Sequence, residues 1–144
     1  MAVLRKNNNY FEIKKVNRKI EDVFCDFSSI FISISYSNNK CSVKKKRGFF
    51  LNEKEIDYII KRIDLSLNNT SCFLLNSKNN DIIFYLEYNQ KQNKYLLTIT
   101  LENELSAYNN SKVIIKFNLE YNDLLKFNND LKREFQLINN FKTS

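Results

Sequence analysis

The chain has 144 residues, enough for a single domain spanning residues 1–144 with a hydrophobic core, and 43% of its residues are hydrophobic. Its formal net charge of +7 favours an anionic partner, although the AT-rich codons of Lys explain the charge equally simply. The three cysteines have no metal-binding or redox spacing, and no stretch approaches the roughly 20 apolar residues of a membrane span. These features predict a cytoplasmic protein with free, partly buried thiols and no membrane partner.

Three strands are predicted before the first helix. Residues 10–16 alternate apolar and charged side chains, which is the period-two pattern of a strand. After a polar, charged passage, residues 30–36 place three isoleucines and a tyrosine on one face and serines on the other. An Asn-rich turn at 37–40 then leads into a third strand at about 41–46.

The next element is a helix with a clear start signal. Asn52 is a favourable N-cap, and Glu55 is placed to bond back to the backbone amide of the cap. The apolar stripe of this helix consists of Ile56, Ile59, Ile60, Ile63 and Leu67. This spacing predicts a helix that buries one face and ends near residues 68–69.

The second half of the chain predicts four further strands and a closing helix. The strands are expected at residues 72–75, 81–88, 94–101 and 112–119, with a polar connection at 102–111 before the last of them. The helix is expected at about 123–140, with Asn122 as its cap and with Asn128 interrupting its apolar stripe. That stripe consists of Leu124, Phe127, Leu131, Phe135 and Ile138. The fold predicted is therefore α+β, with an antiparallel sheet of about six to seven strands and two helices packed on one face.

The composition argues against side-chain catalysis. The chain has no histidine, which excludes Ser-His-Asp and Cys-His catalysis and every metal site that contains histidine. A single glycine excludes the P-loop and the dinucleotide fingerprint, which need several. Three pairs of carboxylates lie close together in the sequence, at Glu53 with Glu55, Glu102 with Glu104 and Asp130 with Glu134. Each pair is explained better by a helix start, a loop or a solvated surface, so neither a catalytic residue nor a metal nor a cofactor is predicted.

The densest charge is the run Lys44-Lys45-Lys46-Arg47, which is followed by Gly48-Phe49-Phe50. Such a run beside aromatic rings can grip a phosphate backbone while the rings stack on bases. The alternative, which we favour on sequence alone, is structural: lysines on an edge strand block aggregation, and an apolar residue before the cap packs on the helix start. Residues 14–15 and 18–19 form a second, weaker basic cluster.

A family resemblance adds a functional hypothesis. The strand at 30–36, the apolar lead into an acidic helix start at 49–56, the hairpins and the strand-to-helix unit at 113–135 resemble bacterial immunity proteins of the WapI-inhibitor-like type. The resemblance implies a non-catalytic inhibitor that neutralises a toxin by occlusion. The positive charge of the chain would suit an acidic surface on the protein partner. The candidate contact residues are Lys44, Lys45, Lys46, Arg47, Lys91 and Lys94.

Three alternatives to an immunity protein remain open. They are a basic accessory protein that binds nucleic acid, a phage-encoded inhibitor of a host defence system, and an enzyme that uses unrecognised carboxylates. Nucleic-acid binding predicts positive charge gathered on one face and an affinity that falls steeply with salt. An enzyme requires a cleft where two acids converge.

Overall fold

The computed structural model describes residues 1–16, 29–38, 41–77, 81–102 and 112–142. These residues form eight strands and two helices. In chain order the elements are β1 (Ala2–Lys6), β2 (Asn9–Lys15), β3 (Ser29–Asn38), β4 (Cys41–Asn52), α1 (Glu53–Asn69), β5 (Phe73–Asn76), β6 (Ile82–Asn89), β7 (Lys94–Glu102), β8 (Lys112–Leu119) and α2 (Tyr121–Lys142). No helix within the described ranges is both long and apolar enough to cross a membrane.

The strands form two antiparallel meanders. Sheet A has the strand order β1-β2-β3-β4, and sheet B has the order β5-β6-β7-β8. Within each sheet, every strand therefore pairs with the strand next to it in the chain, as sequential strands commonly do. The predicted α+β class, with antiparallel strands and two helices, is confirmed. The structure divides the strands between two sheets, and β1 is a strand that the sequence prediction does not contain.

The hydrophobic core lies between the inner faces of the two sheets and the two helices. Phe11 of sheet A meets the ring of Phe84 of sheet B edge-on, with centroids 6.0 Å apart, and meets Phe127 of α2 at 6.4 Å. One shared site between these elements is lined by Phe84 and Phe127 together with Ile13 and Ile59. The two sheets and the two helices all meet at this site. The side chains that alternate toward it from the strands therefore form one core.

The start of α1 follows its sequence signal. Asn52 Oδ1 accepts a hydrogen bond from Lys54 N at 3.0 Å, and Glu55 Oε1 accepts one from Asn52 N at 2.9 Å. The predicted capping box is thus present, and it satisfies two of the backbone amides that a helix start leaves without partners. The helix continues to Asn69, and Thr70 closes it in the left-handed conformation, with φ 56°.

Helix α2 differs slightly from its prediction. It begins at Tyr121, so Asn122 lies inside the first turn, and Asp123 Oδ2 accepts a hydrogen bond from Glu120 N at 3.1 Å. Asn128 is fully buried and donates from Nδ2 to Ile60 O at 3.2 Å and to Asp64 Oδ1 at 2.8 Å. The polar residue that interrupts the apolar stripe therefore joins α2 to α1.

Two asparagines join the hairpin ends of sheet A to the edge of sheet B. Asn9 Nδ2 donates to Lys116 O at 2.9 Å, and Asn38 Nδ2 donates to Ile114 O at 3.1 Å. Strand β8 lies at the edge of sheet B, so these side chains satisfy carbonyl groups that its sheet leaves unpaired. Sheet A is thereby held at a defined position against sheet B.

Candidate functional site

The outer face of sheet A, the face directed away from the core, is a basic surface. Alternation along the strands brings four cations from three strands to this face, and all four side chains are exposed. We call this surface the basic face. Its members are Val3, Arg5, Tyr10, Glu12, Lys14, Phe31, Ser33, Ser35, Ser37, Lys44, Lys46 and Gly48.

The middle of the basic face is a row of serines on β3. Ser33, Ser35 and Ser37 occupy successive outward positions, and across β2 they pair with Lys14, Glu12 and Tyr10 in that order. On the other side, β4 places Lys46 opposite Ser35. Ser33 and Ser37 are buried and Ser35 is half-exposed, so these small side chains form a floor between two rows of longer ones. Successive outward residues of a strand repeat about every 6.7 Å, so the floor spans roughly 13 Å.

Tyr10 is held between two cations at one end of this floor. The ammonium nitrogen of Lys44 lies 4.1 Å from the centre of its ring, and the guanidinium carbon of Arg5 lies at 5.2 Å. Both are within the range of a cation–π contact. Burial, reinforced by the Glu12 carboxylate and its hydrogen bond to the tyrosine, raises the pKa of Tyr10. The hydroxyl group therefore stays protonated at neutral pH.

The alternation of β4 divides the predicted basic run into two pairs. Lys44 and Lys46 lie on the basic face, whereas Lys45 and Arg47 point to the opposite side, where they pair with the core positions Tyr36 and Ile34. Arg47 donates to the backbone oxygen of Glu102 and lies 4.5 Å from the centre of the Phe49 ring. Arg47 therefore ties β4 to the end of β7.

The other predicted contact residues lie elsewhere. Lys91 belongs to the turn between β6 and β7, where its backbone amide donates to Asn89 Oδ1 at 3.0 Å, and Lys94 begins β7. Both are in sheet B, so the structure does not place them on the basic face. Of the weaker basic cluster, Lys14 lies on the basic face, and residues 18–19 fall outside the described ranges.

The carboxylate pairs have structural partners. Glu55 caps α1, and Asp130 forms an ion pair with Arg133 at 3.2 Å. Glu134 accepts hydrogen bonds from the amino-terminal ammonium at 2.6 Å and from Lys15 N at 2.8 Å. Glu102 pairs with Lys112 at 3.4 Å, and residue 104 is outside the described part of the chain.

Metal and thiol chemistry give no alternative site within the same ranges. The described residues contain no group of three or more acidic or cysteine side chains that could hold a metal ion. Cys72 is exposed, so the prediction of a partly buried thiol is wrong at this position.

Sequence reasoning missed Arg5 and Tyr10 as members of the site. The reason is that β1 is only five residues long and was not predicted, so its pairing with β2 was not considered. The available signal is the alternation of Ala2 and Leu4 with Val3 and Arg5, followed by an Asn-rich turn. Asn7 adopts a left-handed conformation there, with φ 55°, which Asn tolerates better than most residues.

Comparison with known proteins provides a structural relationship only. No protein-family model and no curated protein sequence matches the chain. The plant transcriptional regulator PBF-2 has a similar structure, with a TM-score of 0.54 and 11% identity over 98% of this chain and 82% of that chain. WHY1 from Arabidopsis thaliana is similar with a TM-score of 0.50 and 11% identity, over 97% of this chain and 89% of that chain. At this level of identity the matches establish a shared fold.

The hypothesis of a toxin-neutralising immunity protein is corrected by this result. The fold is shared with a plant transcriptional regulator and with WHY1, so the expectation that came from a pattern of strands and helices is wrong. A sequence pattern of this kind fits several α+β arrangements, because hairpins and amphipathic helices recur in many folds. The pattern also does not reveal that the strands divide into two sheets.

Proposed function

We propose that this protein binds nucleic acid through the basic face of sheet A. The observation that carries the proposal is the gathering of Arg5, Lys14, Lys44 and Lys46 around a floor of serines, with Glu12 as the one carboxylate on the described part of that face. Cations that neutralise phosphates release counterions, and Ser35, the half-exposed serine of the floor, can donate a hydrogen bond to a phosphate oxygen.

The fold and the charge support the same proposal. A protein described as a plant transcriptional regulator shares this fold, and regulators of transcription act on nucleic acid. The formal net charge of +7 gives the whole chain an attraction for polyanions. In this proposal the protein acts by binding alone, without a catalytic step.

The test is a measurement of binding by fluorescence anisotropy with a labelled oligonucleotide, as a single strand and as a duplex, over a series of salt concentrations. We expect the affinity of the wild-type protein to fall steeply between roughly 50 and 200 mM salt. The double variant Lys44→Gln/Lys46→Gln is expected to bind about tenfold more weakly at low salt. The slope of its logarithmic affinity against the logarithm of salt concentration should be smaller by about one to two. The control is Lys54→Gln/Lys61→Gln, which removes the same charge from α1.

The control distinguishes a specific face from general attraction. If the two double variants lose affinity equally, net charge alone explains the binding, and the basic face is not the interface. If the wild-type protein shows no salt-dependent binding of either probe, the proposed function is wrong. Circular dichroism of each variant verifies that the substitutions on exposed positions leave the fold intact.

A further inference from the structure

Glu12 is an acidic side chain at the centre of the basic face. It lies between Tyr10 and Lys14 along β2, and it pairs with Ser35 on the adjacent strand β3. Lys46 is the next residue across the sheet, opposite Ser35. The side chain of Glu12 is half-exposed, so a ligand on this face would meet it. A carboxylate at this position repels phosphate, so it opposes the function that the surrounding cations favour.

The surroundings of Glu12 leave it able to accept further hydrogen bonds. A carboxylate has about four acceptor positions, and that of Glu12 is half-exposed beside Tyr10 on the same face of β2. Tyr10 is itself fixed by Lys44 at 4.1 Å and by Arg5 at 5.2 Å from its ring centre. The carboxylate thus lies next to a packed group of side chains on the same strand, and such packing favours selective recognition.

A fixed carboxylate discriminates between nucleobases by their hydrogen-bond donors. The amino groups of cytosine, adenine and guanine donate hydrogen bonds that a carboxylate accepts. Thymine and uracil have no amino group, and the two carbonyl oxygens that flank their ring N–H repel a carboxylate. The same group that weakens contact with phosphate therefore favours bases that carry an amino group.

We propose that Glu12 selects nucleobases with an exocyclic amino group over thymine or uracil at the centre of the basic face. This inference rests on the proposed binding of nucleic acid by the same face, and it adds base preference to that function. The exposed cations hold the phosphates without regard to sequence, and the carboxylate contributes the discrimination.

The experiment compares short single strands of oligo(dC), oligo(dA) and oligo(dT) in competition binding at one salt concentration. We expect the wild-type protein to bind oligo(dC) and oligo(dA) about fivefold more tightly than oligo(dT). In Glu12→Gln the repulsion is lost, so oligo(dT) is expected to bind about two- to threefold more tightly, whereas oligo(dC) and oligo(dA) gain nothing because the acceptor for their amino groups is weakened. The preference is therefore expected to fall to about twofold. A gain in affinity for oligo(dT) alone is not expected from a general loss of structure.

A matched control is provided by Glu87 on the outer face of sheet B. It also follows a tyrosine by two residues on a strand, and its Oε2 accepts a hydrogen bond from Tyr85 at 3.3 Å. Glu87→Gln makes the same change in charge and is expected to leave the base preference unaltered.

The outcomes separate this inference from the function on which it rests. Equal binding of the three strands by the wild-type protein, or an unchanged preference in Glu12→Gln, overturns the role of Glu12 while leaving nucleic-acid binding in place. A preference that Glu87→Gln abolishes as effectively as Glu12→Gln also overturns it. Absence of binding to every strand overturns the proposed function and this inference together.

Discussion

Replacing Asn128 tests how the two helices are held together. Its Nδ2 faces two acceptors, Ile60 O at 3.2 Å and Asp64 Oδ1 at 2.8 Å, in a fully buried position. In Asn128→Asp an oxygen takes the place of that donor, so a carboxylate is buried against the Asp64 carboxylate and a carbonyl group. Lys132, 3.0 Å from Asp64 Oδ1, offsets only part of the repulsion. We expect a loss of about 3 kcal/mol in the free energy of unfolding at neutral pH, since an uncompensated buried charge typically costs 3–5 kcal/mol.

The replacement by leucine is expected to behave differently. Asn128→Leu loses one neutral hydrogen bond, of about 1 kcal/mol, and one to a charged group, of about 1.5–3 kcal/mol. It also removes Asn128 Oδ1, which is buried without a hydrogen-bond partner, and it adds apolar contact in the core. These opposing contributions largely cancel, so we expect a change within about 1.5 kcal/mol.

Urea denaturation followed by circular dichroism measures both variants. The loss in Asn128→Asp should become smaller on acidification, because a proton shared between the two carboxyl groups removes their repulsion. The reasoning fails if Asn128→Asp is as stable as the wild-type protein at neutral pH. It also fails if Asn128→Leu is the more damaging of the two substitutions.

Two further predictions concern stability. A Cβ atom at Gly48 would lie 2.8 Å from Phe31 Cε2 and closer still to Phe31 Cζ, so Gly48→Ala should lower the free energy of unfolding by about 1 kcal/mol. In a Phe31→Ala background the same substitution should be neutral or stabilising, and a double-mutant cycle measures this difference. Burial raises the pKa of Glu134, but hydrogen bonds from the amino-terminal ammonium and from Lys15 N outweigh it and hold that pKa below its ordinary value. The stability that Glu134 contributes is therefore complete above its unfolded-state pKa and is lost as the pH falls through its folded-state pKa. In a pH series of thermal midpoints, the midpoint of Glu134→Gln should consequently fall less steeply than that of the wild-type protein below about pH 4.5. An identical decline in the two proteins would contradict this assignment.

The elements that sequence predicts well are those with local signals. The capping residues of α1 and its apolar spacing lie within one segment, so the helix is predicted from Asn52 onward and is observed there. Strand β8, at Lys112–Leu119, likewise follows from its own alternation. The role of Asn128 was not predictable in this way, because its partners on α1 are 64 and 68 residues away in the sequence.

The candidate site was only partly predictable for the same reason. The run from Lys44 to Arg47 is visible in the sequence, but a strand presents only alternate residues to one face. A run of four cations therefore contributes two of them, Lys44 and Lys46, to the basic face. The other positive charges of the basic face come from Arg5 and Lys14 on other strands. Their position depends on the register of the strands rather than on distance along the sequence.

The hydrophobic core therefore determines which cations the protein presents. In β4, Phe49 and Leu51 are buried and pair with Ile32 and Ile30 of β3. A slip of one residue in this pairing would turn both apolar side chains to the surface and would exchange Lys44 and Lys46 with the residues now on the opposite side. The loss of two buried apolar side chains, at about 1.5–3 kcal/mol each, opposes such a slip. The register that buries Phe49 is consequently the same register that assembles the basic face, so the residues that stabilise the fold also specify the surface proposed to bind nucleic acid.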